Sequence, residues 1–213
     1  MRLALTLCGA AFAAIASFSS AQATTLSGDL TSDNAFTAYI STNDNTLGTL
    51  VSSGTDWQNP SSLSTLLSSG TTYYLHIVAT NAGGPDAFLG QFHLDDALHA
   101  FANGTQDLFT NVADWAASAV ASGDPWSAPT APVQSFGQNG DGSTIWSTTH
   151  GGPIAAIDPS AEWIWSVPDN GDAAFFSTKI VATTPIPASL PLLATALGGL
   201  GFMARRKRSA RSA

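Results

Sequence analysis

Tyr73-Tyr74-Leu75-His76-Ile77-Val78-Ala79 is the stretch that decides the fold. It is rich in aromatic and β-branched side chains. Turn-forming Ser68-Ser69-Gly70 precedes it and Asn81-Ala82-Gly83-Gly84-Pro85 follows, which reads as one well-bounded strand. Side chains alternate along a strand, so Tyr73, Leu75, Ile77 and Ala79 share one face. Working outward, Phe36 to Ser41 and Ala87 to Leu94 repeat the pattern, with Asn43-Asp44-Asn45 as a further turn. Trp163-Ile164-Trp165-Ser166 and Ala174 to Ile180 read as a late pair around Asp169-Asn170-Gly171-Asp172. Asp107 to Val120 fits either a short helix or a strand. Short strands at this spacing, with few charges, predict an all-β antiparallel sandwich. In Trp163-Ile164-Trp165 the two indoles are expected on one side and Ile164 on the other, with Trp163 or Trp165 in the core.

The two ends of the chain differ from this middle. Arg2, the uncharged run Leu3 to Phe18 and the small-x-small site Ala21-Gln22-Ala23 make a secretory signal over residues 1–23, with cleavage placing Thr24 first. The only cysteine, Cys8, lies inside that leader, so the domain expected over residues 24–183 has no thiol chemistry and no disulfide. At the other end, Ile186 to Ala204 is an uncharged run of 19 residues, close to the ~20 that an apolar helix needs to cross a bilayer. Arg205-Arg206-Lys207-Arg208 follow at once within the basic tail 205–213. The positive-inside rule keeps that cluster in the cytoplasm and puts the domain on the far side of the membrane.

Thr184-Pro185-Ile186-Pro187-Ala188, the apolar span and the cationic end come in the order found in the PEP-CTERM class of bacterial sorting signals. Residues 184–213 resemble its VPLPA-CTERM variant, with Thr184 in place of Val and Ile186 in place of Leu. The resemblance implies Sec-type export and tethering at the inner membrane of a Gram-negative bacterium. It further implies that an integral-membrane exosortase recognises the box and releases the chain to the cell surface or extracellular matrix, where extracellular polysaccharide is the implied partner.

The middle also resembles galactose-binding-like jelly-roll modules. Asp33-Asn34-Ala35-Phe36-Thr37-Ala38-Tyr39-Ile40 is similar to their opening strand. Trp57, Leu66-Leu67-Ser68-Ser69-Gly70, Gly83-Gly84-Pro85, Phe88-Leu89-Gly90, Ala161-Glu162-Trp163-Ile164-Trp165 and Phe175-Phe176 follow in the same order. The resemblance implies a jelly-roll sandwich and names no ligand.

All fifteen acidic residues lie between Asp29 and Asp172, against Lys179 as the only Lys or Arg between Thr24 and Ala204. A field of that sign repels phosphate and argues against nucleic acid as a partner. No G-x-S-x-G elbow, H-E-x-x-H, phosphate loop or dinucleotide fingerprint occurs. The four histidines lack zinc spacing. Asn139-Gly140-Asp141-Gly142-Ser143 offers oxygen ligands from Asn139 and Asp141 that would suit calcium, while turn chemistry explains the same residues without an ion. Glu162, the sole Glu, reads as a strand-face residue that could also contact sugar. Trp126 and Trp146 sit in loop-like sequence beside Pro125 and Ser147 and are expected to be exposed aromatic platforms for glycan. The reading that follows is a non-catalytic surface or matrix protein whose sandwich contacts glycan. The alternative is a secreted hydrolase acting on polysaccharide.

Overall fold

A computed structural model describes residues 23–150, 153–168 and 172–183. In chain order the strands are β1 (Ala23–Asp33), β2 (Ala35–Ser41), β3 (Thr49–Gly54), β4 (Ser61–Ser68), β5 (Tyr73–Thr80), β6 (Ala87–Leu94), β7 (His99–Phe101), β8 (Asp107–Phe109), β9 (Ala116–Val120) and β10 (Val133–Gln138). The short helix α1 (Ile145–His150), β11 (Glu162–Ser166) and β12 (Ala173–Ala182) complete the described elements. The signal-peptide residues before Ala23, the box Thr184 to Ala188, the span 186–204 and the tail carrying Arg205 to Arg208 lie outside the described residues. Among the described residues, no helix is long and apolar enough to cross a membrane.

The strands form two antiparallel sheets of six. One runs β10-β11-β6-β1-β4 with β8 also on β6, and the other runs β3-β2-β5-β12-β7 with β9 also on β12. The first is called sheet I below and the second sheet II. Their inner faces meet in one core. Leu26, Leu30, Leu63, Phe88, Phe92 and Ile164 come from sheet I; Phe36, Leu75, Ile77, Ala79, Phe176 and Ile180 come from sheet II. The facing read for β5 therefore holds: Leu75, Ile77 and Ala79 are fully buried and Tyr73 packs against the same cluster. This is the two-sided alternation expected of a sandwich.

The late pair does not form. β11 pairs with β10 and β6 in sheet I, whereas β12 pairs with β5, β7 and β9 in sheet II. Among the described strands, only the β2–β3 and β10–β11 connections stay within a sheet. A turn sequence between two strands thus marks a crossing from one sheet to the other as readily as a hairpin. The ambiguous 107–120 stretch contains strands β8 and β9 and no helix.

Both outer faces are partly covered, which the sequence did not reveal. On sheet I, residues 139–149 and 153–161 fold back over part of the face. Trp146, Ile154 and Ile157 build a second apolar cluster there with Ala87, Leu89 and Trp163. Trp163 and Trp165 consequently do not share a side. Trp163 belongs to this outer cluster, whereas Trp165 joins Ile164 in the inter-sheet core and meets Phe176 edge-on at 5.7 Å. The neighbouring β10 bulges between Ser135 and Gln138, and a bulge adds local twist to the strands beside it. On sheet II, Trp126 and the 43–47 turn cover His76, Phe175 and Ser177.

Candidate functional site

The best-formed concavity that contains expected site residues lies at one end of the sandwich. It has two adjoining compartments, of about 550 Å³ and about 340 Å³. Pro85, Ile145 and Trp146 line both. Phe136, Asp141 and Thr144 close the first, and Asp33, Asn34 and Trp57 close the second. Volumes of this size suit a small ligand or a stretch of polymer.

Local sequence explains how Trp146 reaches this position. Asp141-Gly142-Ser143-Thr144 makes a turn. The Asp141 carboxylate accepts from the Ser143 N–H at 2.8 Å, and the backbone N–H of Thr144 donates to the Asp141 carbonyl at 3.2 Å. Hydrogen bonds from the Ser143 side chain, and then from its backbone, hold the Asp141 carboxyl below the usual carboxylate range. Thr144 caps the helix, its hydroxyl oxygen accepting from the Ser147 N–H at 3.2 Å. Trp146 then faces inward. Its ring stacks on Trp163 with centroids 4.6 Å apart and planes 13° from parallel, and Phe136 packs at 5.7 Å. Its indole N–H donates to Asp33 Oδ2 at 3.2 Å. Trp57 meets the other side of the group, edge-on to Trp163 at 6.3 Å.

Trp146 is therefore not the free platform expected from its loop-like sequence. It is 4 % exposed; the reason is that α1 lies over the outer face of sheet I and needs an apolar residue there. It still lines the cleft with what remains accessible. Trp126 is not a free platform either and packs on the opposite sheet. It is half-buried, 4.2 Å from the His76 ring and 4.8 Å from Phe175 between centroids, and its N–H donates to the Asp44 carbonyl at 2.8 Å. His76 is fully buried beneath it. Its Nε2 meets Asp44 Oδ1 at 3.0 Å and its Nδ1 meets the Leu47 carbonyl at 3.1 Å. Trp126 and Trp146 thus belong to two separate covers and do not form a pair.

Asn139 and Asp141 are also separated in role. Asn139 is fully buried. Its Nδ2 donates to the carbonyls of Ile154 at 3.0 Å and Ile157 at 2.8 Å, and its Oδ1 accepts from the Ile154 N–H at 2.8 Å. Asn139 clamps the 139–161 segment, whereas Asp141 is exposed at the cleft mouth. The two do not converge as calcium ligands. Among the described residues no group of three or more His, Cys, Asp or Glu side chains is arranged to hold a metal ion. Glu162 is half-buried on β11, beside Trp163 but outside the cleft lining.

At the expected cleavage junction, Ala23 is exposed and pairs with Ser68 in β1, while Thr24 is fully buried. Thr24 Oγ1 donates to Asp96 Oδ1 at 2.7 Å and lies 2.6 Å from His99 Nδ1. Ala21 lies outside the described residues. Sequence reasoning missed Asp33 and Trp57 as cleft residues. A faint signal existed: Asp33-Asn34 stands at the end of a strand and Trp57 sits inside a turn, and connecting segments are where binding residues concentrate.

Comparison with known proteins adds no relatives: no family model matches the chain, and neither a curated protein nor a solved structure matches it.

Proposed function

We propose that this chain is an exported surface or matrix protein, sorted by an exosortase through Thr184 to Ala188. In this reading its sandwich is a non-catalytic jelly roll of the galactose-binding-like kind that contacts extracellular glycan at the end cleft. The sorting part is supported by sequence: leader, box, apolar span and cationic end in the right order. The jelly-roll part is supported by a chain that changes sheet at nearly every connection.

One observation carries the glycan part. Trp146 is held from three sides, by the Trp163 stack, by Phe136 and by the Asp33 carboxylate, at the wall of a cleft that also holds Trp57 and Asp141. Aromatic walls with a few placed polar groups suit sugar rings, whose faces are apolar and whose edges carry hydroxyls. Fixing those groups in advance lowers the ordering cost of binding.

A glycan array probed with the exported chain tests the cleft. Binding to a mono- or disaccharide, too short to span the sheet face, that Ile145→Asp abolishes is the expected result; Ile145 lines both compartments and is 49 % exposed. Binding that ignores this substitution would sink the cleft reading, and release of reducing ends from polysaccharide would favour the hydrolase. Intact mass of the surface form tests sorting. A mass that still includes Arg205 to Ala213 rejects processing.

A further inference from the structure

On the outer face of sheet I, beside the 153–161 segment, lies a groove of about 460 Å³. Its lining is set by register. Ser62, Asp29, Gln91 and Phe109 stand opposite one another on β4, β1, β6 and β8, one outward side chain per strand. Strands in a sheet lie about 4.8 Å apart, so this row spans roughly 14 Å, about the length of three linked sugar rings. A parallel row carries Ser27, His93 and Asp107.

The polar groups of the groove are fixed in place. Gln91 donates from Nε2 to the Ala156 carbonyl at 2.9 Å and accepts at Oε1 from the Asp158 N–H at 2.9 Å. Ser62 Oγ donates to Asp29 Oδ1 at 2.8 Å. His93 Nδ1 and Asp107 Oδ1 are 2.7 Å apart, with 54 % and 66 % of their side chains exposed. Pairs that open to solvent add little to stability, so the fold itself does not call for this arrangement. Phe109 supplies an apolar wall at one end of the row.

We infer that this groove is a second ligand site, distinct from the end cleft, which takes a linear uncharged polysaccharide laid across the strands. Carboxylates accept strong hydrogen bonds from sugar hydroxyls. Asp29, Asp107 and Asp158 line the groove with no Lys or Arg among them, which disfavours uronate or sulfated chains by repulsion. Two sites on different parts of the surface would let one molecule bridge two glycan strands and gain avidity from both.

Calorimetric titration of the full chain with cellohexaose, maltohexaose and oligogalacturonate tests this. At least one neutral oligomer should bind saturably and the oligogalacturonate should not. Asp107→Lys and the groove-filling Ser62→Trp, both at exposed positions, should each weaken that binding at least tenfold with an unchanged melting temperature. Ile145→Asp in the end cleft should leave it intact. Failure of both neutral oligomers to bind, equal binding of the galacturonate, or indifference to both groove variants would overturn the inference. Loss through Ile145→Asp alone would assign the sugar to the end cleft and overturn it as well.

Discussion

Trp146 and Asp33 are 113 residues apart in the chain, and the indole N–H of one donates to the carboxylate of the other at 3.2 Å inside the protein. The contact ties α1 to the end of β1 and fixes one wall of the end cleft. Trp146→Phe keeps an aromatic ring on Trp163 and removes the donor. It should cost about 1–3 kcal/mol, the range for leaving a buried acceptor short of a partner, and should weaken glycan binding by loosening the wall. Asp33→Asn, which keeps an acceptor oxygen, should cost less. Chemical denaturation of both variants beside a glycan titration checks the pair. If Trp146→Phe leaves stability and affinity unchanged, the hydrogen bond does not position the ring.

The core makes a sharper stability prediction. Leu75 and Ile77 are fully buried between the sheets, so truncating either to Ala should cost roughly 2–5 kcal/mol. Trp126→Ala should cost about 2 kcal/mol, below the ~3–5 kcal/mol of a fully buried Trp, because the ring covers His76 and Phe175 from one side only. Urea melts of the three variants decide the order. A Trp126→Ala change under about 0.5 kcal/mol, the size of an ordinary surface substitution, would return Trp126 to the status of a free surface aromatic.

What could be read from the sequence follows from where the physical signal is local. β5 was legible because alternation and flanking turns are contained within a dozen residues, and its inner face is the core. Its outer face was not: His76 is buried by Asp44, Leu47 and Trp126, all distant in sequence. Trp126 and Trp146 were misread for the same reason. Pro, Ser and Gly around them give loop composition, but a loop laid over a sheet buries its large residue. The late pair expected around Asp169 to Asp172 does not form, because turn chemistry does not say which sheet the next strand joins. In the candidate cleft, Trp146 and Asp141 were named from sequence; Asp33 and Trp57 needed the fold to bring them there.

Asn139 gives a test of the fold-back over sheet I. Its amide makes three short hydrogen bonds to Ile154 and Ile157, all in buried surroundings. Asn139→Ala leaves those backbone groups without their partner, at ~1–3 kcal/mol for each that finds no other, so a loss of roughly 2–4 kcal/mol is expected. Asn139→Asp keeps the acceptor but sets a buried carboxylate oxygen against the Ile154 and Ile157 carbonyls, so it should cost at least as much as the Ala variant. Limited proteolysis should show new cleavage within 139–161 in the Ala variant while β1 to β6 stay resistant. Addition of calcium should not restore the Ala variant, because the residue acts as a clamp and not as an ion ligand.

Acid should weaken the start of β1. The Asp95 carboxylate accepts from the Thr25 backbone N–H at 2.7 Å. Its carboxyl is held below the usual range first by a hydrogen bond with the Thr25 side chain, then by that backbone contact, with the nearby His93 charge adding to the effect. A carboxyl whose folded-state value is lowered binds fewer protons in the native protein than in the unfolded chain. Its contribution is therefore fully present above the ordinary carboxylate value of about 4, and it is lost as pH falls through the lower folded value. Asp95→Asn cannot titrate. Its melting temperature should sit below that of the unsubstituted protein at neutral pH, and the two should converge as the pH is taken down through the lowered folded value of Asp95, where that carboxyl too becomes protonated. Thermal melts from neutral pH downward measure this. Parallel curves for the two proteins across the whole range would show that Asp95 gives β1 no pH-dependent support.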